Sequence, residues 1–204
     1  MKPGTCLVTL LCAALLGCGT TRPVKYYRIG FPEAAATPAS SPSFAVTLKV
    51  GNIEAPPLMR DGRILYQAGA NEVGAYEYHR WVETPDRIVQ NSLVRMLRSS
   101  GRYPSVDTPA SAARTDYVIL GRIHEFAEVD KPEVFTRISM EIELHDGSTN
   151  RTLWSRIYTA EMKVDGKEVA DVVQTLDRNL RRGLTEIVSS LEEYFTKQPR
   201  GTPR

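Results

Sequence analysis

The spacing of apolar positions changes several times along the chain, and each change marks an element. Thr5 to Leu16 reads TCLVTLLCAALL, an uncharged run preceded by Lys2. It falls short of the roughly 20 apolar residues that span a bilayer and suits the core of a signal peptide. Residues 19–43 are mostly polar and end in the Pro/Ala/Ser-rich stretch PEAAATPASSPS, whose composition buries too little apolar surface to order itself. Within them Lys25-Tyr26-Tyr27-Arg28-Ile29-Gly30 reads as a short strand or docking segment.

Alternation starts near Phe44. Val46, Leu48 and Val50 predict a strand over 45–53, ended by Pro56-Pro57. Two short strands follow at 64–67 and 75–81, joined by a loop over 68–74, with Asp61-Gly62 as a turn. Thr84 as N-cap and Pro85 at the first helical position open a helix. Val89, Leu93, Met96 and Leu97 form its apolar face, and Gly101 closes it. Strands are expected at 103–106 and 117–126. Over 136–144, Ile138, Met140, Ile142 and Leu144 alternate with Arg137, Ser139, Glu141 and Glu143, the pattern of a half-solvated antiparallel strand. A turn holding Asp146-Gly147 leads to a return strand at 151–164. The helical period resumes from Glu168 to about Phe195, before a polar tail.

Strands, helix, strands, helix is the order of an α+β fold: a mainly antiparallel sheet with two amphipathic helices packed on one face. The expected organisation is a signal peptide over 1–17, a lipidated N-terminus and flexible tether over 18–43, a domain over 44–196 and a disordered tail over 197–204.

Composition sharpens the reading of the N-terminus. Leu15-Leu16-Gly17-Cys18 resembles a bacterial lipobox, the sequence cut before a cysteine that carries acyl chains. Cleavage there removes Cys6 and Cys12, so the mature chain retains Cys18 alone and cannot form an internal disulfide. The net charge of +2 falls to +1 with the loss of Lys2, too small an excess for a nucleic-acid binder. Gly19 follows the cysteine, where Asp favours inner-membrane retention in lipoproteins of enterobacterial type. The expected location is the outer membrane, lipid-anchored and facing the periplasm.

No motif points to catalysis, a metal or a cofactor. His79, His124 and His145 stand apart, without zinc-ligand spacing. No G-x-S-x-G elbow occurs, and Glu192-Glu193 fits a solvated helix face. The chain is therefore expected not to be an enzyme. The candidate partner-binding residues are Leu58, Met59, Arg60 and Trp81. The first three sit in the expected loop after Pro56-Pro57, where an exposed Leu-Met pair suits a partner or an acyl chain. The plainer alternative is that Leu58 plugs the end of the sheet. Tyr66, Tyr76 and Tyr78 join Trp81 as interface candidates or ordinary sheet residues, and Arg80-Trp81 as a cation–π pair.

An ordered set of pieces then resembles the ABC-type transport auxiliary lipoprotein family. They are the lipobox, KYYRI at 25–29, VGNIEAPPLMRDGRILYQ, EYHRWVETPDRIVQNSLVRML, SGRYPSV, TDYVILG at 115–121 and Thr152-Leu153-Trp154. The resemblance covers most of the chain after Cys18. It implies partnership with a mammalian-cell-entry (MCE) domain protein and its permease system, in lipid transport between membranes. It also implies a homo-oligomer. A regulatory lipoprotein acting on a cell-wall synthase is the alternative, motivated by the tether.

Overall fold

A computed structural model describes residues 22–30, 43–69, 71–130 and 132–197. The expected signal segment, Cys18, most of the Pro/Ala/Ser stretch and the tail beyond Lys197 lie outside the described residues. The elements run β1 (Lys25–Tyr27), β2 (Leu48–Glu54), a 3-10 turn (Pro57–Met59), β3 (Arg63–Ala68), β4 (Glu72–Trp81), α1 (Pro85–Ser99), β5 (Val106–Asp107), β6 (Tyr117–Asp130), β7 (Val134–Asp146), β8 (Thr152–Lys163) and α2 (Val169–Lys197).

One sheet is organised around β6. Antiparallel β7 pairs with β6 from Asp130↔Val134 to Tyr117↔Asp146, and β8 pairs antiparallel with β7. Two short strands share the other side of β6. β2 runs parallel to its first half, from Leu48↔Tyr117 to Glu54↔Arg122. β3 runs parallel to its last part, from Leu65↔Ala127 to Ala68↔Asp130. β4 pairs antiparallel with β3, while β5 and β1 add in parallel to β2 and β4. The fold is thus the expected α+β class, with a mainly antiparallel sheet, although its parallel pairings leave no mark in the alternation.

The predicted face of β7 is the centre of the core. Ile138, Met140, Ile142 and Leu144 are all fully buried, and each contributes about 1.5–3 kcal/mol of transfer free energy. Helix α1 covers β2, α2 covers β7 and β8, and the helices touch each other. They therefore lie on the same face. Gly183 sets the approach of α2, because a Cβ there would stand 2.6 Å from the Tyr158 ring and 2.9 Å from Met140 Cε. Asn179, fully buried, fixes its register. It accepts the Tyr158 hydroxyl at 2.6 Å and donates to the Ala160 carbonyl at 3.1 Å.

Several local expectations change. Pro85 occupies the first turn of α1, but the Thr84 side chain makes no cap hydrogen bond, and its carbonyl instead accepts Ile88 N–H at 2.9 Å. Gly101 takes the left-handed conformation at φ 63°. The strands β3 and β4 reach further toward each other than their apolar residues indicate, and their register extends to Ala68↔Glu72. The ordered sheet also takes in β1, ahead of the boundary expected at Phe44. Tyr27 and Ile29 turn inward, and Ile29 enters the core. Two inward apolar side chains between polar neighbours leave too short a pattern to mark a domain start. Arg181 on α2 donates to the Gly30 carbonyl and holds the end of this segment.

Candidate functional site

The division of β6 between β2 and β3 leaves a notch, and the chain crosses it through the Pro56-Pro57 turn. A 3-10 helix turns about 120° per residue, so consecutive side chains diverge. Leu58 is 42% exposed, while Met59 is 4% exposed and joins the core. Trp81 is also 4% exposed, with its ring edge-on to Phe126 at 5.7 Å. The expected exposed Leu-Met pair is therefore a single exposed leucine, and neither Met59 nor Trp81 offers its side chain to a partner. Their burial follows from the backbone, where Trp81 N–H donates to Gly62 O at 2.7 Å and Met59 O accepts Gly62 N–H at 3.4 Å. Arg80 donates to the Asp61 carbonyl at 3.0 Å.

Arg60 remains at the surface and donates to the Ala55 carbonyl at 3.2 Å. It borders a shallow cavity of about 230 Å³ between the end of β2 and the start of α1, lined also by Asn52, Glu54, Asp86, Arg87 and Gln90. The buried Asp86 Oδ1 has no hydrogen-bond partner among the described residues. A second hollow of about 280 Å³ continues past Arg60 to Arg122 and His124. Val82, 47% exposed, stands where β4 leaves the sheet, and its N–H donates to Tyr27 O at 2.8 Å. The notch is thus mixed: exposed Leu58, cations from Arg60, Arg87 and Arg122, and carboxylates from Glu54 and Asp86. Such a surface suits protein recognition better than enclosure of a small apolar ligand.

A second polar group joins β1 to the sheet. Tyr27 Oη and His79 Nδ1 share a hydrogen bond of 2.8 Å, with the rings stacked at 5.6 Å. Burial, with Lys25 and Arg22 nearby, lowers the His79 pKa and favours the neutral ring. His79 meets Tyr76 edge-on at 5.5 Å, and Tyr76 packs on Tyr66. The Tyr76 hydroxyl donates to Glu128 Oε2 at 2.8 Å. Glu128 is buried, and burial lifts its pKa against the opposing effect of the Tyr76 hydroxyl. Neither hydrogen bond shows in the sequence, because each joins residues 52 apart. Tyr66, Tyr76 and His79 thus pack against one another within the sheet.

Two consequences are measurable. Tyr76→Phe removes the donor to a buried carboxylate and is expected to cost about 1–3 kcal/mol in urea denaturation. A cost below the measurement error would show that Glu128 does not depend on Tyr76. Because the folded-state pKa of Glu128 is raised, its stabilising contribution is present below the unfolded value and declines as pH rises through the folded value. Glu128→Gln is expected to flatten the stability profile as pH rises above about 4.5. An unchanged slope in denaturation series across pH would contradict this.

Among the described residues no group of three or more His, Cys, Asp or Glu is placed to hold a metal ion. No described helix is long and apolar enough to cross a membrane.

The profile of the ABC-type transport auxiliary lipoprotein component family matches residues 27–188. The chain belongs to this family. Solved structures share its fold. A DUF330-family protein from Xanthomonas campestris superposes with a TM-score of 0.70 at 20% identity, covering 80% of this chain and 92% of that one. An uncharacterised protein gives a TM-score of 0.65 at 16% identity, with coverage of 83% and 99%. A hypothetical protein from Chlamydia trachomatis gives 0.54 at 12% identity, with coverage of 76% and 99%. No curated protein matches the sequence. The matched span begins at Tyr27, the last residue of β1, and so starts ahead of the boundary expected at Phe44.

Proposed function

We propose that this lipoprotein is a non-enzymatic auxiliary component of an ABC transport system of the MCE type, held in the outer membrane by acyl chains on Cys18. The observation that carries the reading is the family match across the folded body, joined to a cysteine that ends an uncharged leader-like run. In this role the domain docks a periplasm-spanning lipid-transport assembly, and its own chain need only bind and orient. The notch around Leu58 and Arg60 is the docking surface proposed for that partner. Leu58 supplies the exposed apolar contact, and the flanking charges supply specificity.

The alternative of a regulator of a cell-wall synthase loses its main motive. It relies on a tether long enough to carry the domain through the periplasm, whereas β1 fastens the chain to the sheet soon after Cys18. Deletion is expected to weaken the outer-membrane barrier to bulky antibiotics, with the wild-type chain restoring it. Leu58→Asp is expected to fold normally and fail to restore it, since a buried carboxylate without a partner disrupts an interface. An intact barrier in the deletion strain would contradict the transport role. Full restoration by Leu58→Asp would move the docking surface elsewhere.

A further inference from the structure

We propose that the outward side of β1 rests on the lipid bilayer that holds the anchor, so that the sheet edge, and not a long tether, sets the height and orientation of the domain. This inference rests on the proposed acylation of Cys18. Four residue steps separate Cys18 from Arg22, and an extended chain spans at most about 3.6 Å per step, or about 14 Å in all. Arg22 is already placed against the body, with its guanidinium 5.7 Å from the centre of the Tyr78 ring. An acylated Cys18 therefore brings the membrane surface to the vicinity of β1 and the adjoining part of β4.

The residues found there suit that surface. Residues 19–30 contain Arg22, Lys25 and Arg28 and no Asp or Glu. Tyr27 and Ile29 point inward, leaving Val24, Tyr26 and Arg28 outward. Val24, just before β1, is 41% exposed and Tyr26, within it, 65% exposed. Tyrosine rings favour the headgroup level of a bilayer, and nearby Lys and Arg are attracted to anionic lipid. β1 pairs only with β4 among the described strands, so its outer backbone edge also needs polar partners, which headgroups and interfacial water supply. Because β1 runs parallel to β4, the chain toward Cys18 leads past Tyr78 and away from Val82. Contact along this edge consequently leaves the Leu58 notch, near the other end of β1, open to a periplasmic partner.

The test uses the full-length chain, processed and lipidated in cells, then placed in vesicles of phosphatidylethanolamine and phosphatidylglycerol. An environment-sensitive fluorophore is attached in separate variants at Tyr26→Cys, at Val24→Cys and at Ala112→Cys, an exposed position in the loop before β6. Mass spectrometry of the N-terminal peptide reports acylation of Cys18 in each sample, and thermal melting confirms folding. The expected result is blue-shifted emission and strong quenching by headgroup-spin-labelled lipid at positions 24 and 26, with neither at 112. Replacing Arg22, Lys25 and Arg28 together by Gln is expected to reduce the quenching at 26. If Cys18 is acylated and positions 24 and 26 match 112, the inference is overturned while the anchor stands. If Cys18 carries no acyl chain, the anchor reading fails and the inference fails with it.

Discussion

Replacing Asn179 with leucine is expected to lower the unfolding free energy by about 3 kcal/mol, among the largest losses available to a single side chain here. Asn179 is fully buried where α2 crosses β8. Its carboxamide accepts the Tyr158 hydroxyl and donates to the Ala160 carbonyl. Leucine conserves much of the volume and removes both functions, leaving the Tyr158 hydroxyl with only the Asn179 backbone carbonyl at 3.3 Å and the Ala160 carbonyl without its amide donor. Adding Tyr158→Phe is expected to recover part of the loss, because the weakly paired hydroxyl leaves as well. A double-mutant cycle on urea midpoints measures this coupling. The adjacent Gly183 makes relief by backbone movement costly, since α2 already lies against the Tyr158 ring. A near-neutral Asn179→Leu would mean that apolar contact alone fixes α2 on the sheet.

Cys18→Ala is expected to abolish lipidation entirely. Without the thiol there is no site for acylation, and the unprocessed leader should persist as a slower-migrating precursor. The predicted effect is large because anchoring energy scales with buried methylenes, at about 0.8 kcal/mol each. One chain gives only reversible binding, whereas two or more hold a protein in place on a functional timescale. Labelled fatty-acid incorporation and the mobility of the mature chain read the outcome directly. Continued processing together with continued labelling would show that the lipobox reading is wrong.

Legibility in the sequence follows the range of the interactions involved. The face of β7 and the apolar stripes of both helices are set by local period, so residues 136–144, 85–99 and 168 to about 195 read clearly, and the last helix runs on to Lys197. The parallel pairing of β2 and β3 with β6 depends on which strands meet after the chain has turned, and no local period encodes it. β1 itself is read in the segment at 25–30, but its parallel pairing with β4 is not. At the candidate site, Pro56-Pro57 follows the end of β2 as the sequence predicts, and the loop expected after it begins with a 3-10 helix. The fates of Leu58 and Met59 depended instead on the 3-10 geometry, which sends one outward and the next into the core. Trp81 reads as an interface candidate because aromatic enrichment describes interfaces and cores alike, and its packing against Phe126 places it in the core. The Tyr76–Glu128 contact joins a tyrosine and a glutamate that each look like ordinary strand residues until β4 and β6 are brought together.

Chemical crosslinking in native envelopes, followed by mass spectrometry of everything captured with the chain, tests the proposed role most directly. Recovery of an MCE-domain protein or an ABC permease, crosslinked near Leu58 and Arg60, is the predicted result. Recovery of a cell-wall synthase in their place, or of no transport subunit in repeated captures, would contradict it.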